Sequence, residues 1–439
     1  MAIILSFAVF IGAMILCILT GYTMVIALFI GLIAFIICGM KKGFKLGELV
    51  NMSRRGSKDA LVVVKVLFTI GFITAVWRAS GTIALFVYYG MRVITPNLFL
   101  IVTFLLACLL SYALGTSFGV AGTVGVIFMA LARSGGVNPV ITAAVVMSGI
   151  YFGDRGSPVS SSATLVAAIT KTSLLDNVKR MAKTAIVPFF IALALYGVLS
   201  FANPIHGVDN TFMTSLQSEF NISLWCIIPA LCMSVLPLLK VSVLHAMWAS
   251  IISGMIISVS LEHMSFVSLI KGMFLGYVSE GNLGNIMNGG GLISMIEVVA
   301  IVAISSTYSG IFEGTQMLRG LQDKIGGLMN KVGRFPSMVI MSVITLSIFC
   351  NQTIATMMCN DIMKKLYKDS GATKEELALD MENSVILMAG MVPWTIACSV
   401  PLAFMQVGYE AVPLAVFLYL VPLCYGVQKK NKLIYVKTI

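Results

Sequence analysis

The sequence predicts an all-α polytopic membrane protein made of two inverted structural repeats, each of about five spans plus a helical hairpin, with discontinuous helices. Three observations carry that reading. The 439 residues are 59% hydrophobic and 11% charged, with a mean hydropathy of +0.99, where a soluble domain has about 25% charged residues. Apolar stretches long enough to cross roughly 30 Å of hydrocarbon as helix recur along the whole chain. The two halves also echo each other weakly, while the basic residues of equivalent loops do not match.

Other classes fit poorly. The net charge of +11 sits in short loops between apolar segments, the pattern of membrane topology, so no nucleic-acid partner is expected. Nine cysteines are scattered singly, many within apolar runs (Cys17, Cys38, Cys108, Cys398), without metal-ligand spacing. No cofactor is expected from these residues. The N-terminal stretch MAIILSFAVFIGAMILCILTGY lacks a basic leader and reads as a retained first span. An enzyme would need a nucleophile–base set or metal cluster, and His206, His245 and His263 have no partner spacing.

The repeat is read from matches in the same order at drifting offsets. Residues 76–86 resemble 304–314, 115–136 resemble 351–371 at an offset near 236, and 148–158 resemble 387–397. Charge sets the direction. The loop after the second span carries Lys41, Lys42, Lys45, Arg54, Arg55 and Lys58, whereas its counterpart at 260–290 has only Lys271 against Glu262 and Glu280. Lys171, Lys179, Arg180 and Lys183 gather in one loop, and the counterpart QVGYE (406–410) has no base. By the positive-inside rule, equivalent loops face opposite sides. Both termini and the 41–58 and 171–183 loops then face the cytoplasm, with 204–221 outside.

Inversion requires an odd number of crossings per repeat. Spans near 2–18, 23–40, 59–80, 138–170 and 184–203 fill the first repeat (1–203). After the polar loop 204–221, spans near 222–238, 242–259, 291–312, 377–405 and 411–427 fill the second (222–428), and 429–439 is a cytoplasmic tail. The apolar pairs 97–132 and 336–366 enter and leave on one side, whether they cross fully or re-enter.

Within 138–170 the chain reads GIYFGDRGSPVSSSATL. Two glycines and a proline around Asp154-Arg155 break the helix where backbone groups must line a protein cavity. Freed carbonyls, the negative end of a half-helix, Asp154, and the hydroxyls of Ser157, Ser160, Ser161 and Thr164 suit a hard monovalent cation or the polar groups of a small substrate. The plainer alternative is an Asp154–Arg155 pair at a membrane surface. The second copy, AGMVPWTIACSVP (389–401), interrupts its helix at Gly390, Pro393 and Pro401 without an acid. Asn383, Trp394 and Thr395 surround that break, with Trp394 serving either the site or the headgroup boundary. Polar hairpin tips, Thr116 and Ser117 in one and Asn351, Gln352 and Thr353 in the other, are expected to approach the breaks. Gly119 and Gly122 read as close helix packing. Lys65 and Glu297 stand at near-equivalent places and are expected to snorkel, line a wet cavity or pair across the pseudo-two-fold. Arg78 and Glu313 read as ordinary charges near segment ends.

ASGTIALFVYYGMRVITP, GTSFGVAGTVGV, SGIYFGDRGSPVSSSATL, GGGLISMIEVV and MVPWT resemble, in order from about residue 60 to 400, the successive motifs of the NhaC-type sodium/proton antiporters of the ion transporter superfamily. The resemblance implies cation/proton antiport by alternating access in a prokaryotic cytoplasmic (inner) membrane, with the lipid bilayer and a small ion or molecule as partners; a homodimer is left open. Sodium ion and proton are then the coupling ions, and no metal is expected beyond sodium at Asp154. Some relatives exchange malate for lactate, so the alternative is an ion-coupled exchanger or symporter of a small organic anion or amino acid. The chain departs from the family's pattern at three acids: Ser161, Asn351 and Asn383 stand where aspartates are usual, and Thr164 replaces an asparagine. Asp154 is kept.

Overall fold

The computed structural model describes residues 2–20, 22–93, 95–158, 160–205, 210–239, 241–279, 287–315 and 321–430. Among them there is no strand, only an isolated bridge between Tyr277 and Gly289. The tail residues 431–439, His206 and the rest of 206–209 in the connecting loop lie outside the described residues.

The polarity of the molecule is that of a membrane protein. Ile186, Phe190, Val198 and Phe201 stand exposed along helix Leu174–Ala202, while the interior holds many serines and threonines, Asp154, Asp380 and Glu382. Large apolar side chains facing outward and polar groups facing inward make sense where lipid is the solvent. Among the described residues, five helices are long and apolar enough to cross a bilayer: Met24–Lys41, Pro96–Leu114, Ser117–Ser134, Leu174–Ala202 and Leu292–Phe312. Both arms of the first hairpin are among them, so each has the length of a full crossing. The first arm of the second hairpin, Arg334–Phe349, is shorter at 16 residues.

Three expectations need correction. The basic stretch 171–183 is a loop only to Ser173, and Lys179, Arg180 and Lys183 stand in the first turns of helix Leu174–Ala202. The basic stretch 41–58 is not a loop. It turns at Lys42–Gly43 and enters a 34-residue helix, Leu46–Ala79, which at 1.5 Å per residue is about 51 Å long and outreaches the bilayer. Nor does the span expected at 59–80 end freely. Ser80–Gly81 bends the chain by 63° into helix Thr82–Val93, with Gly81 at φ +68°, where a side chain would be strained. That second helix was not foreseen.

Helix Leu46–Ala79 packs backbone to backbone on Ile296–Thr315. A Cβ on Gly310 would fall 2.0 Å from the Met52 carbonyl oxygen, and one on Gly56 would fall 2.5 Å from that of Ser306. Small residues permit such approach, and dispersion then holds helices together without help from water. Helices Ala2–Thr20 and Met24–Lys41 cover this pair through an aromatic cluster of Phe10, Phe35, Tyr308 and Phe312. The same logic seats the first broken helix. Gly149 and Gly153 lie directly against Ala107 and Ser111 of helix Phe99–Leu114, so glycines at i and i+4 bring the break up to the hairpin.

The order of helix ends repeats at a fixed interval. Gly115 and Cys350, both in the left-handed region, end the first arms of the hairpins, and Thr116 and Asn351 cap the second arms. Asn138 and Thr373 cap the helices that lead into the two breaks. Ser160 and Thr395 cap the helices that leave them, and those end at left-handed Lys171 and Gln406. Every pair is 235 residues apart. Over 115–171 the offsets near 236 and 239 expected from the sequence become this one register, which matches Asp154 to Ala389 and Ser117 to Gln352.

Candidate cation and proton site

Each hairpin tip is built by a residue that leaves the helical region and one that caps the next helix. Gly115 (φ +64°) and Cys350 (φ +56°) reverse the chain. The Asn351 side-chain oxygen then accepts from the Thr353 and Ile354 amides at 2.9 and 3.3 Å, and Thr116 accepts from the Gly119 amide at 3.5 Å. Short polar side chains at this position satisfy amides that the helix leaves orphaned. The first residue after each cap, Ser117 or Gln352, is thereby aimed inward.

Both point at Asp154. Gln352 Nε2 donates to Asp154 Oδ2 at 3.2 Å and to the Ile386 carbonyl at 3.0 Å. Ser117, through its amide and hydroxyl, turns to the same carboxylate. Asp154 itself is 4% exposed, near the C-terminal end of helix Pro139–Gly156. Beyond Gly156 the chain leaves the helix, and Ser160 begins the second half-helix, Ser161–Thr170. The break is held by hydroxyls: Ser160 Oγ and Ser162 Oγ both donate to the backbone carbonyl of Asp154, the latter at 2.9 Å. A carboxylate at the negative end of its own helix is unfavourable. Here the N-termini of the two second arms lie opposite, with partial positive charge and neutral donors. Such donors hold the acid without neutralising it, so its charge stays available to a cation or a proton.

The second break repeats the frame without the charge. Thr395 donates to the Ala389 and Val392 carbonyls at 2.5 and 2.9 Å and accepts from the Cys398 amide at 3.2 Å. The Tyr151 ring lies on Gly390, and its hydroxyl donates to the Ala397 carbonyl at 2.7 Å, so the two broken helices touch beside Asp154.

The structure thus gathers Asp154, Ser160, Ser117 and Gln352 and sends the other candidates elsewhere. Ser157 is fully buried and donates to the Tyr112 carbonyl at 2.6 Å. Ser161 and Thr164 lie on an exposed face, and Thr164 bonds its own helix at Ser160. The adjacent Ser162 is the inward hydroxyl, a one-residue correction that a helix's 100° step imposes. Asn351 and Thr116 are caps, and Thr353 is exposed. Trp394 donates to the Ser347 carbonyl at 3.2 Å and packs edge-on against Phe10, tying the second break to its hairpin. Lys65 and Glu297 form no ion pair among the described residues: Thr23 donates to Glu297 at 2.5 Å, and Lys65 is exposed. Asp154 and Arg155 do not pair either. Arg155 donates to the Met181 carbonyl at 3.0 Å and to Thr184 at 2.6 Å.

Two buried acids were missed. Glu382 is fully buried with neither carboxylate oxygen hydrogen-bonded in the structure, within electrostatic reach of Arg155 and Asp154. Beside it Asn383 is buried and accepts from Thr184 at 3.4 Å. Asp380 is also fully buried but well supplied, by Tyr367 at 2.6 Å, Tyr425 at 2.7 Å and Lys429 at 2.6 Å. The signal was present: two acids within the run LALDMENSVILMAG (377–390) are rare enough in a span to mark function.

A model of the Na+/H+ antiporter family matches residues 149–427. The malate-2H+/Na+-lactate antiporter of Bacillus subtilis is 26% identical over 403 residues, covering 90% of this chain and 84% of its own. The Na+/H+ antiporter NhaC of Alkalihalophilus pseudofirmus is 24% identical over 375 residues, covering 84% and 81%. The arginine/ornithine antiporter ArcD of Halobacterium salinarum is 23% identical over 362 residues, covering 80% and 75%.

Proposed function

The chain belongs to the Na+/H+ antiporter family, and from that premise we propose that it exchanges sodium for protons at Asp154 by alternating access between two inverted repeats, 1–203 and 222–428. As a member of a transporter family it is a multi-pass membrane antiporter and not an enzyme. One observation carries the site: the only acid at either break is met by the first residue of both hairpin second arms. A single carboxylate that binds either a cation or a proton makes the two ligands compete, which is the simplest form of exchange. Glu382, buried without a hydrogen-bond donor, is the second proton-carrying group on this reading.

The constant 235-residue register supports the repeat. Sidedness is supported by contacts between segment ends. Thr23 meets Glu297, Asn221 meets Glu262, and Arg133 meets Gln406, all from segments that the charge bias assigns outside. Lys429 meets Asp380 and Glu376, and Arg334 meets Glu376, all from segments assigned to the cytoplasm. A prokaryotic cytoplasmic membrane is the setting this implies.

The test is uptake of sodium into proteoliposomes with sodium and proton gradients imposed separately. The reading expects either gradient to drive the other ion, and fails if neither does. Labelling of a cysteine at position 210 from the cytoplasmic side alone would overturn the inversion. A second reading, ion-coupled exchange of a small organic anion or amino acid, draws on the name of the Bacillus subtilis relative and on two arginines described next.

A further inference from the structure

Arg78 and Arg133 come together at the end of the second broken helix, Ile396–Met405, and no carboxylate pairs with either among the described residues. Arg78, expected at a segment end, is 4% exposed. Its Nη1 donates to the Thr74 carbonyl at 2.6 Å, its Nη2 to Gln406 Oε1 at 3.3 Å, and its buried Nε has no partner. Arg133 Nη1 donates to the same Gln406 Oε1 at 3.2 Å, and Nη2 to the Met405 and Gln406 carbonyls at 2.9 and 3.0 Å. Two positive charges that repel each other, one buried and one half-buried, therefore meet around one neutral amide oxygen. Burying a charge without an opposite charge is costly. Arg133 recovers part of that cost from two helix-end carbonyls, whereas Arg78 has one carbonyl, that of Thr74, and a buried Nε without a partner.

We propose that Arg78 and Arg133 form a carboxylate-binding site, in which the Gln406 side-chain oxygen stands where one oxygen of a small organic carboxylate binds. Guanidinium groups match carboxylates with paired hydrogen bonds, and here one Oε1 already accepts from both. The second oxygen of a carboxylate would take the unpartnered Arg78 Nε. The space beside them holds about 10 Å³, enough for one water, and is walled by Ile83, Met129 and Phe404. Binding thus requires the Gln406 amide to swing away. Gly289, at φ +121°, passes so close that a Cβ there would stand 3.6 Å from Gln406 Oε1, so the opposite wall is backbone. On the proposed sidedness the site faces away from the cytoplasm. It rests on the organic-anion reading for its use in transport, though not for binding itself.

Full-length protein purified in detergent is titrated with the sodium salts of acetate, lactate and malate, with sodium chloride at matched ionic strength as control, and thermal unfolding is followed. The site predicts saturable stabilisation by carboxylates beyond chloride. Arg78→Gln weakens it by about tenfold or more, the loss of one charge-assisted hydrogen bond. Gln406→Glu supplies the carboxylate from within: it raises the unfolding temperature and removes the response to added carboxylate. Asp154→Asn keeps the response, which separates this site from the cation site. An equal effect of chloride, or a Gln406→Glu protein that is less stable and still responds, overturns the proposal and leaves the arginines as a helix cap. If carboxylates bind as predicted but none is taken up by proteoliposomes, the organic-anion transport reading fails while the site stands.

Discussion

The two broken helices differ less in architecture than in charge. Ser160 and Thr395 cap their second halves, and each donates to the carbonyl six residues back, Asp154 or Ala389. Thr164 and Ser399 then bond the cap carbonyls at 2.7 and 2.9 Å. Serine and threonine carry out the same local work in both. The acid stands in one copy alone, and both hairpin tips, Ser117 and Gln352, converge on it. The same frame therefore opens the backbone twice, 235 residues apart, and the residue at one position, Asp154 or Ala389, decides which opening carries charge. The comparison also separates residues that shape a break from residues that act in it.

The largest effect should come from Gly153. It touches the Ser111 backbone, and a Cβ there would fall 2.0 Å from its carbonyl carbon; the matching position is Met388. Gly153→Leu should leave no folded protein in membranes, because backbone cannot yield as a side chain can. Met388→Leu, a volume-conserving change, should cost less than about 1.5 kcal/mol. Recovery of folded protein by size-exclusion chromatography measures both, and equal recovery would break the distinction.

Glu382→Gln comes next. It removes a buried acid with no hydrogen-bond donor while keeping the shape, so the protein should fold at least as well as wild type. Proton-driven sodium exchange should fall at least about tenfold. Unchanged exchange would make Glu382 a passive counter-charge to Arg155.

The two caps offer a finer contrast. Ser160→Ala and Thr395→Ala should each cost about 1 kcal/mol in unfolding free energy. Only Ser160→Ala should raise the sodium concentration for half-maximal exchange, because its hydroxyl fixes the residue that carries the charge. Equal shifts in both would mean that the breaks contribute alike. The smallest effect belongs to Ser161. Exposed and turned from Asp154, Ser161→Asp should change stability by less than about 0.5 kcal/mol and leave the sodium dependence where it was. Tighter sodium binding in that variant would restore Ser161 to the site.

The breaks were legible because glycine and proline within an apolar run have few other uses, and Asp154 because an acid in a span is expensive. The hairpin tips were legible as places but not as roles. Asn351 and Gln352 are equally polar, and only the cap geometry tells that the first bonds its own helix while the second reaches across to Asp154. That distinction has a sequence signature, a short polar residue just before an apolar run, and Thr116, Ser160 and Thr395 share it. Lys65 and Glu297 show the reverse limit. Equivalent positions in two repeats do not specify contact, and Glu297 is turned to Thr23 of a different helix pair. Arg78 and Arg133 are 55 residues apart, in stretches 76–86 and 115–136 that read as repeat matches and not as partners of each other; only the bend at Gly81 and the end of the second broken helix bring them together.

Exchange by Asp154→Asn protein in proteoliposomes tests the central claim most directly. Sodium efflux driven by an inward proton gradient is compared with wild type at equal protein density, with folding verified by chromatography. The account predicts that exchange falls to the rate of empty liposomes, because the other break has Ala389 in place of the acid. Exchange that persists with its pH dependence intact would contradict it and move the coupling charge to Glu382.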